Sequence, residues 1–275
     1  MGTRKSKKTY HLLNDYHLLA YETLDSTNEE ARRLAEGGAS HGAVIWAKEQ
    51  TAGRGRLKRE WESKPGNLFV SILLSPNRPL AEAAQLSFVS GVAAVRALEP
   101  LLPGGGEFTC KWPNDILLEG KKLGGILLES FTTQPEPDDR RKKPRQWVVV
   151  GVGVNIDGAP DEALYPATCL KDAGVELVSA KIVLTRFIEA FMECYDQWVR
   201  EGFAPLRAAW VEHAYGIGKP VTVQLGDDEV TGTFAGISES GELLVEPQDG
   251  GQPVAVNCGD VFFTDQSITT RTRKT

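Results

Sequence analysis

The residues best able to do chemistry fall in four short segments. The first is Glu49-Gln50-Thr51-Ala52-Gly53-Arg54-Gly55-Arg56. Glycine has no Cβ, so backbone N–H groups at Gly53 and Gly55 can approach an anion closely. Arg54, Arg56 and Arg59 add guanidinium forks that match phosphate oxygens. Trp61 lies just beyond, where its ring could stack on a purine or cap the site. Spacing alone leaves two readings open, a phosphate-binding loop and a solvated basic loop. Like charges and glycines that are costly to fix predict poor order until a polyanionic ligand arrives.

The second segment, Lys111-Trp112-Pro113-Asn114-Asp115, joins two apolar runs. Its polar groups therefore sit at strand ends. Asn114 and Asp115 could hold a metal or a ribose, or form an Asx-type turn after Pro113. The third segment runs from Lys121 through Lys122, Gly124 and Gly125 to Glu129. Lys122 starts an apolar strand, and the paired glycines leave room for a ligand beside the backbone. No Ser or Thr follows either lysine, so the P-loop pattern is absent. Alone, Lys122 also reads as an exposed lysine at a strand start. The fourth segment is Gly151-Val152-Gly153-Val154-Asn155. Asp157 and Gly158-Ala159-Pro160 cannot open the helix that a dinucleotide fingerprint requires. These glycines are expected to clear space beside a ligand, with Asn155 pointing into the site.

Other chemistries find no support. The four histidines, His11, His17, His41 and His213, have no partner pattern, and no Ser-His-Asp or Cys-His signature occurs. Cys110, Cys169, Cys194 and Cys258 form no C-x-x-C pair and no zinc spacing, so buried reduced thiols are expected. A net charge of −6 argues against bulk attraction to nucleic acid or anionic membrane. No run approaches the roughly 20 apolar residues of a membrane span, and the basic start lacks a signal-peptide core. A cytoplasmic protein with no membrane partner is expected.

These segments need elements to hold them. Ser26 with Glu29 makes a capping box for a helix that Gly37-Gly38 ends. Strands are predicted at 43–47, 68–74, 108–112, 116–118, 123–131 and 147–150, with Glu119-Gly120 as a tight turn. Helices are predicted at 80–98, 179–201 and 205–215. Residues 132–146 read as a charged hairpin excursion. After Gly216, short alternating strands at 221–225, 230–234, 243–245 and 254–256 predict a small β-barrel. The expected layout is a tail at 1–20, a catalytic domain at 21–216, the barrel at 217–265 and a tail at 266–275.

Taken in order, Asp25-Ser26-Thr27-Asn28, the Gly53 to Arg56 loop, Lys111 to Asp115, Lys122 to Leu127 and Gly151 to Asn155 resemble the biotin protein ligase family. The resemblance covers about residues 21 to 265. It implies an α+β fold: a catalytic domain like that of class II aminoacyl-tRNA synthetases, followed by an SH3-like barrel. It implies activation of biotin with ATP to biotinyl-5′-AMP, then transfer to a lysine of a biotin carboxyl carrier domain. Ser26, Thr27, Asn28, Gln50, Gly53, Arg54, Gly55, Arg56, Lys122 and Gly125 are then expected to hold biotin. Arg56, Arg59, Trp61, Lys111, Asn114, Lys122 and Asn155 would serve ATP. Lys122 and Arg56 would be catalytic, and Asp115 would act through Mg²⁺. About 20 residues before the catalytic domain are too few for the winged helix of repressor members, so no specific DNA binding is expected. Some members dimerise through a sheet face, which leaves a homodimer open. A lipoate or octanoate ligase or transferase shares the fold, but its ligands lack a ureido ring for Ser26, Thr27 and Gln50. A non-catalytic biotin sensor would not need Lys122 and the arginines.

Overall fold

A computed structural model describes residues 5–11, 16–134, 144–160 and 165–263 of the 275-residue chain. Its strands follow the apolar runs. The run Leu68–Leu74 is buried at every position, as a central strand covered on both faces must be. Around it an eight-stranded sheet forms in the order β1-β2-β3-β4-β8-β7-β6-β5. The strands are β1 (Lys5–His11), β2 (His17–Leu24), β3 (Ala43–Gln50), β4 (Leu68–Leu74), β5 (Phe108–Lys111), β6 (Asp115–Leu118), β7 (Lys121–Thr133) and β8 (Arg145–Val154). Only β2 and β3 pair in parallel, because helix α1 (Thr27–Glu36) carries the chain back between them.

Helices cover both faces. Ala31 and Ala35 of α1 pack on Leu19, Ile45, Trp147 and Val149. On the other face Val44, Val70, Ile72 and Val150 meet α2 (Leu86–Leu98), α3 (Ala180–Glu201) and α4 (Ala204–Glu212). A second, antiparallel sheet follows in the order β12-β11-β10-β9-β13. It is built from β9 (Pro220–Leu225), β10 (Asp228–Ile237), β11 (Leu243–Glu246), β12 (Val254–Val256) and β13 (Asp260–Phe263).

Several expectations change. The segment expected to be a tail carries β1 and the start of β2; β1 pairs antiparallel with β2 and forms the sheet edge. Its lysine-rich sequence masked the strand, although charge is what an edge strand tolerates. Strand β8 runs on past the predicted 147–150, through Gly151 and Gly153 to Val154. The helix expected over 80–98 opens with a 3₁₀ stretch at Leu80–Gln85 before α2. The turn at Glu119-Gly120 has φ of 50° and 71°, the positive pair that a two-residue hairpin needs. Of the excursion expected at 132–146, 132–133 belong to β7 and 145–146 to β8, while 135–143, like the tail at 266–275, lie outside the described residues. Among the described residues no helix is long and apolar enough to cross a membrane.

Strand direction places the chemistry. The register sets Leu24 beside Gln50, Leu68 beside Val154 and Gly124 beside Val154. The C-terminal ends of β2, β3 and β8 and the N-terminal ends of β4 and β7 therefore meet at one end of the sheet.

Candidate functional site

That end holds a cavity of about 710 Å³. Every residue expected to serve biotin, ATP, catalysis or magnesium lines it except Gly53. Gly53 sits behind the wall: a Cβ there would collide with Ser63 and the Trp61 carbonyl.

One wall is a hydrogen-bonded chain of small polar side chains. Thr27 donates its N–H to Gln50 Oε1 at 2.8 Å, and its Oγ1 lies 3.1 Å from the same oxygen. Gln50 Nε2 donates to Ser63 Oγ at 3.0 Å, and Ser63 Oγ donates to the Trp61 carbonyl at 2.9 Å. Buried Ser71 reaches Thr27 Oγ1 at 2.7 Å and Asn28 Oδ1 at 2.6 Å. Asn28 Nδ2 donates to Glu129 Oε2 at 2.8 Å. The amide of Gln50 is thereby held in one orientation. Ser26 occupies the N-cap position of α1, yet its hydroxyl makes no capping bond and lies on the cavity wall instead. The expected capping box is therefore not formed. Its Glu29 pairs with Arg54 at 3.3 Å.

The cavity is also lined by cations. Lys122 Nζ lies 2.7 Å from Asp115 Oδ1. The Lys122 backbone is clamped as well: its N–H donates to the Pro166 carbonyl at 2.7 Å, and its carbonyl accepts from Thr168 N–H at 2.9 Å. Asn155 holds the same strand end, donating its N–H to the Leu123 carbonyl at 2.8 Å and its Nδ2 to the Thr168 carbonyl at 3.1 Å. Lys111 is only 3% exposed, and its Nζ stands 3.8 Å from the centre of the Tyr165 ring. Asn114 is fixed by Nδ2 donating to the Ile126 carbonyl at 2.7 Å, which leaves Oδ1 to accept from Arg56 at 3.2 Å.

The arginine loop closes over this cavity as a small hairpin. Gly55 N–H donates to the Arg59 carbonyl at 2.7 Å, and Trp61 N–H donates to the Gly53 carbonyl at 3.0 Å. At its tip Leu57 and Lys58 take φ of 53° and 59°, unusual for residues with a Cβ, and the Leu57 side chain is 71% exposed. The like charges that predicted disorder are spread over separate partners. Arg54 bridges Glu29 and Glu129, Arg56 reaches Asn114 and the Gly259 carbonyl, and Arg59 grips Asp260. That grip raises the Arg59 pKa further above its ordinary value.

Trp61 lies on the cavity floor, 3.2 Å from where a Gly125 Cβ would stand and 2.7 Å from where a Gly153 Cβ would stand. Its Nε1–H has no hydrogen-bond partner, and Lys122 Nζ sits 5.6 Å from its ring. The expectation that Gly151 and Gly153 clear space beside a ligand is thus corrected in part. They seat Asn28 and Trp61, whose side chains would collide with a Cβ at either position. Asp115, the expected magnesium ligand, lines the cavity with its Oδ1 paired to Lys122, and no group of three His, Cys, Asp or Glu able to hold a metal occurs among the described residues.

Sequence reasoning missed Ser63, Ser71, Tyr165, Gly259 and Asp260. The last three come from segments far along the chain with no motif of their own. Only the spacing of the alternating strand at 260–263 could have flagged β13.

Residues 20–155 match the family model described as the Biotin/lipoate A/B protein ligase family, and residues 216–264 match the Biotin protein ligase C terminal domain. Over 244 residues the chain is 37% identical to the biotin–acetyl-CoA-carboxylase ligase of Paracoccus denitrificans, covering 87% of this chain and 97% of that protein. It is 36% identical over 239 residues to the bifunctional ligase/repressor BirA of Bacillus spizizenii, covering 85% of this chain and 70% of that one. Among solved structures, the biotin protein ligase of Aquifex aeolicus in complex with biotin and ATP superposes with a TM-score of 0.73 at 29% identity. The match covers 91% of this chain and 99% of that one.

Proposed function

The chain belongs to the biotin protein ligase family and is an ATP-dependent biotin ligase, and from that premise we propose how its residues divide the work. The observation that carries the assignment is a single cavity lined both by amide and hydroxyl groups and by cations.

Ser26, Thr27 and Gln50 hold the ureido ring of biotin, whose carbonyl and N–H groups need matched donors and acceptors. Phe69, Ile126, Leu127 and Val152 line the cavity and suit the apolar ring and valeryl chain. The valeryl carboxylate then points to Lys122. In the first step a carboxylate oxygen attacks the α-phosphorus of ATP, and pyrophosphate leaves with the bonding pair. Both reactants are anions, so fixed cations must offset their repulsion. Lys122 and Arg56 do so at the reacting atoms, with Lys111 and Arg59 further along the phosphates. Trp61, Asn114 and Asn155 hold the nucleoside. Magnesium enters with the nucleotide phosphates, as that ion commonly does, without a protein cage.

In the second step a lysine amine of a biotin carboxyl carrier domain attacks the acyl carbon. AMP leaves, and the amine loses its proton. Between the steps the loop from Gly53 to Trp61 keeps water out and the mixed anhydride in.

Incubation with biotin, Mg-ATP and an apo biotin carrier domain tests the assignment. Biotin is expected on the carrier lysine, with pyrophosphate and AMP released. Transfer of lipoate or octanoate in its place overturns the ligand assignment.

A further inference from the structure

Tyr165 stands where two pocket cations, a backbone strap and the C-terminal sheet meet. Its ring receives the Lys111 ammonium at 3.8 Å, and the same ammonium lies 5.8 Å from the Phe263 ring of β13. The next residues, Pro166 to Thr168, form the strap whose Pro166 carbonyl and Thr168 N–H clamp the Lys122 backbone. The Tyr165 hydroxyl donates to the Val261 carbonyl at 3.5 Å, and its ring lies 5.9 Å from that of Phe262. Burial, with Asp260 and Asp115 nearby, pushes the phenol pKa above its ordinary value, so the hydroxyl stays a neutral donor.

We propose that Tyr165 is a positioning residue for adenylation: its π face sets the Lys111 ammonium on the cavity wall, and its side chain ties the Lys122 strap to the C-terminal sheet. The inference rests on Lys111 and Lys122 being cations of the ATP site. An aromatic face stabilises a desolvated ammonium electrostatically without adding negative charge beside incoming phosphates. The arrangement also gives the C-terminal sheet a physical route to the catalytic lysine.

The test is a substitution series at position 165 in the full chain, read as kcat and KM for ATP in biotin-dependent pyrophosphate exchange. Tyr165→Phe should stay within about twofold of wild type, because the ring remains and the hydroxyl bond is long. Tyr165→Leu should lose on the order of tenfold or more in kcat/KM for ATP. Phenylalanines carrying one, two and three fluorines should fall stepwise, since fluorine drains the π face while keeping the shape. That series stays readable even if Tyr165→Leu does not fold. In a Lys111→Met background the series should become flat. A flat series in the presence of Lys111, or Tyr165→Phe as damaging as Tyr165→Leu, overturns the proposal. If Lys111→Met alone matches wild type, the Lys111 assignment falls and the proposal falls with it. If Lys111→Met is impaired while the fluorine series is flat, only the role of Tyr165 falls.

Discussion

Two regions face the same cavity and are held there by different means. The strand side, with Lys122, Gly125 and Asn155, is positioned by backbone hydrogen bonds in the sheet and to the strap at 166–168. The loop side, with Arg54, Arg56 and Arg59, is positioned mainly by side-chain contacts to Glu29, Glu129, Asn114 and Asp260. Backbone ladders hold atoms closely and cannot be exchanged without unfolding. Exposed ion pairs are worth little each and are readily traded for another anion. A ligand phosphate can replace a carboxylate at an arginine, whereas nothing replaces the strap behind Lys122. On the proposed mechanism the strand side supplies the fixed cation Lys122 for bond-making, while the loop side lends Arg56 to that step and retains the intermediate.

The largest effect is expected at Lys122. Lys122→Ala removes a charge fixed beside the reacting carboxylate, so adenylate formation should slow by roughly two to three orders of magnitude. Biotin affinity, measured by calorimetry, should weaken much less. Wild-type rates in that variant would break the assignment of chemistry to the strand side.

A smaller loss is expected at Gly153. A Cβ there would stand 2.7 Å from the Trp61 ring. Gly153→Val should expel the indole, raise KM for ATP by roughly tenfold and cost about 1–3 kcal/mol in stability, the usual range for overpacking. Unchanged Trp61 fluorescence together with normal KM would show that the glycine is not the seat of the ring.

The smallest effect lies away from the cavity. Arg33, hydrogen-bonded to Asp25, holds that carboxyl below its ordinary pKa of 3.8. A depressed folded pKa gives stability that is present above 3.8 and is lost as pH falls through the lower folded value. Asp25→Asn should therefore lower the melting temperature slightly at neutral pH, and the gap from wild type should close in acid. A gap that widens as pH falls would contradict the pairing.

Legibility in the sequence followed the same division. The positions of Lys122, Asn114 and Asn155 near strand ends were readable from the apolar runs, whereas their roles and that of Gln50 were readable only through the family resemblance. The arginine loop was readable as basic and glycine-rich, but not the partners that spread its charges. Arg59 meets Asp260 across 201 residues, and no local pattern records such a contact. The capping box failed for a related reason. Glu29 and Ser26 fit the local motif, yet Arg54 and the cavity claim them in the folded chain. Strand β1 was hidden because an edge strand exposes its backbone to water and can be as polar as a tail.

The division of labour is tested most directly by single-turnover measurement of adenylate formation and adenylate escape in two variants. Lys122→Ala and Arg54→Ala would each be mixed with biotin and α-labelled ATP, quenched over time, and the adenylate separated into bound and free fractions. The account predicts that Lys122→Ala forms little adenylate, whereas Arg54→Ala forms it within severalfold of the wild-type rate and releases it faster, with biotin appearing on nearby amines and labelled AMP in solution. Equal loss of formation in both variants, or an adenylate held as tightly by Arg54→Ala as by wild type, would contradict it.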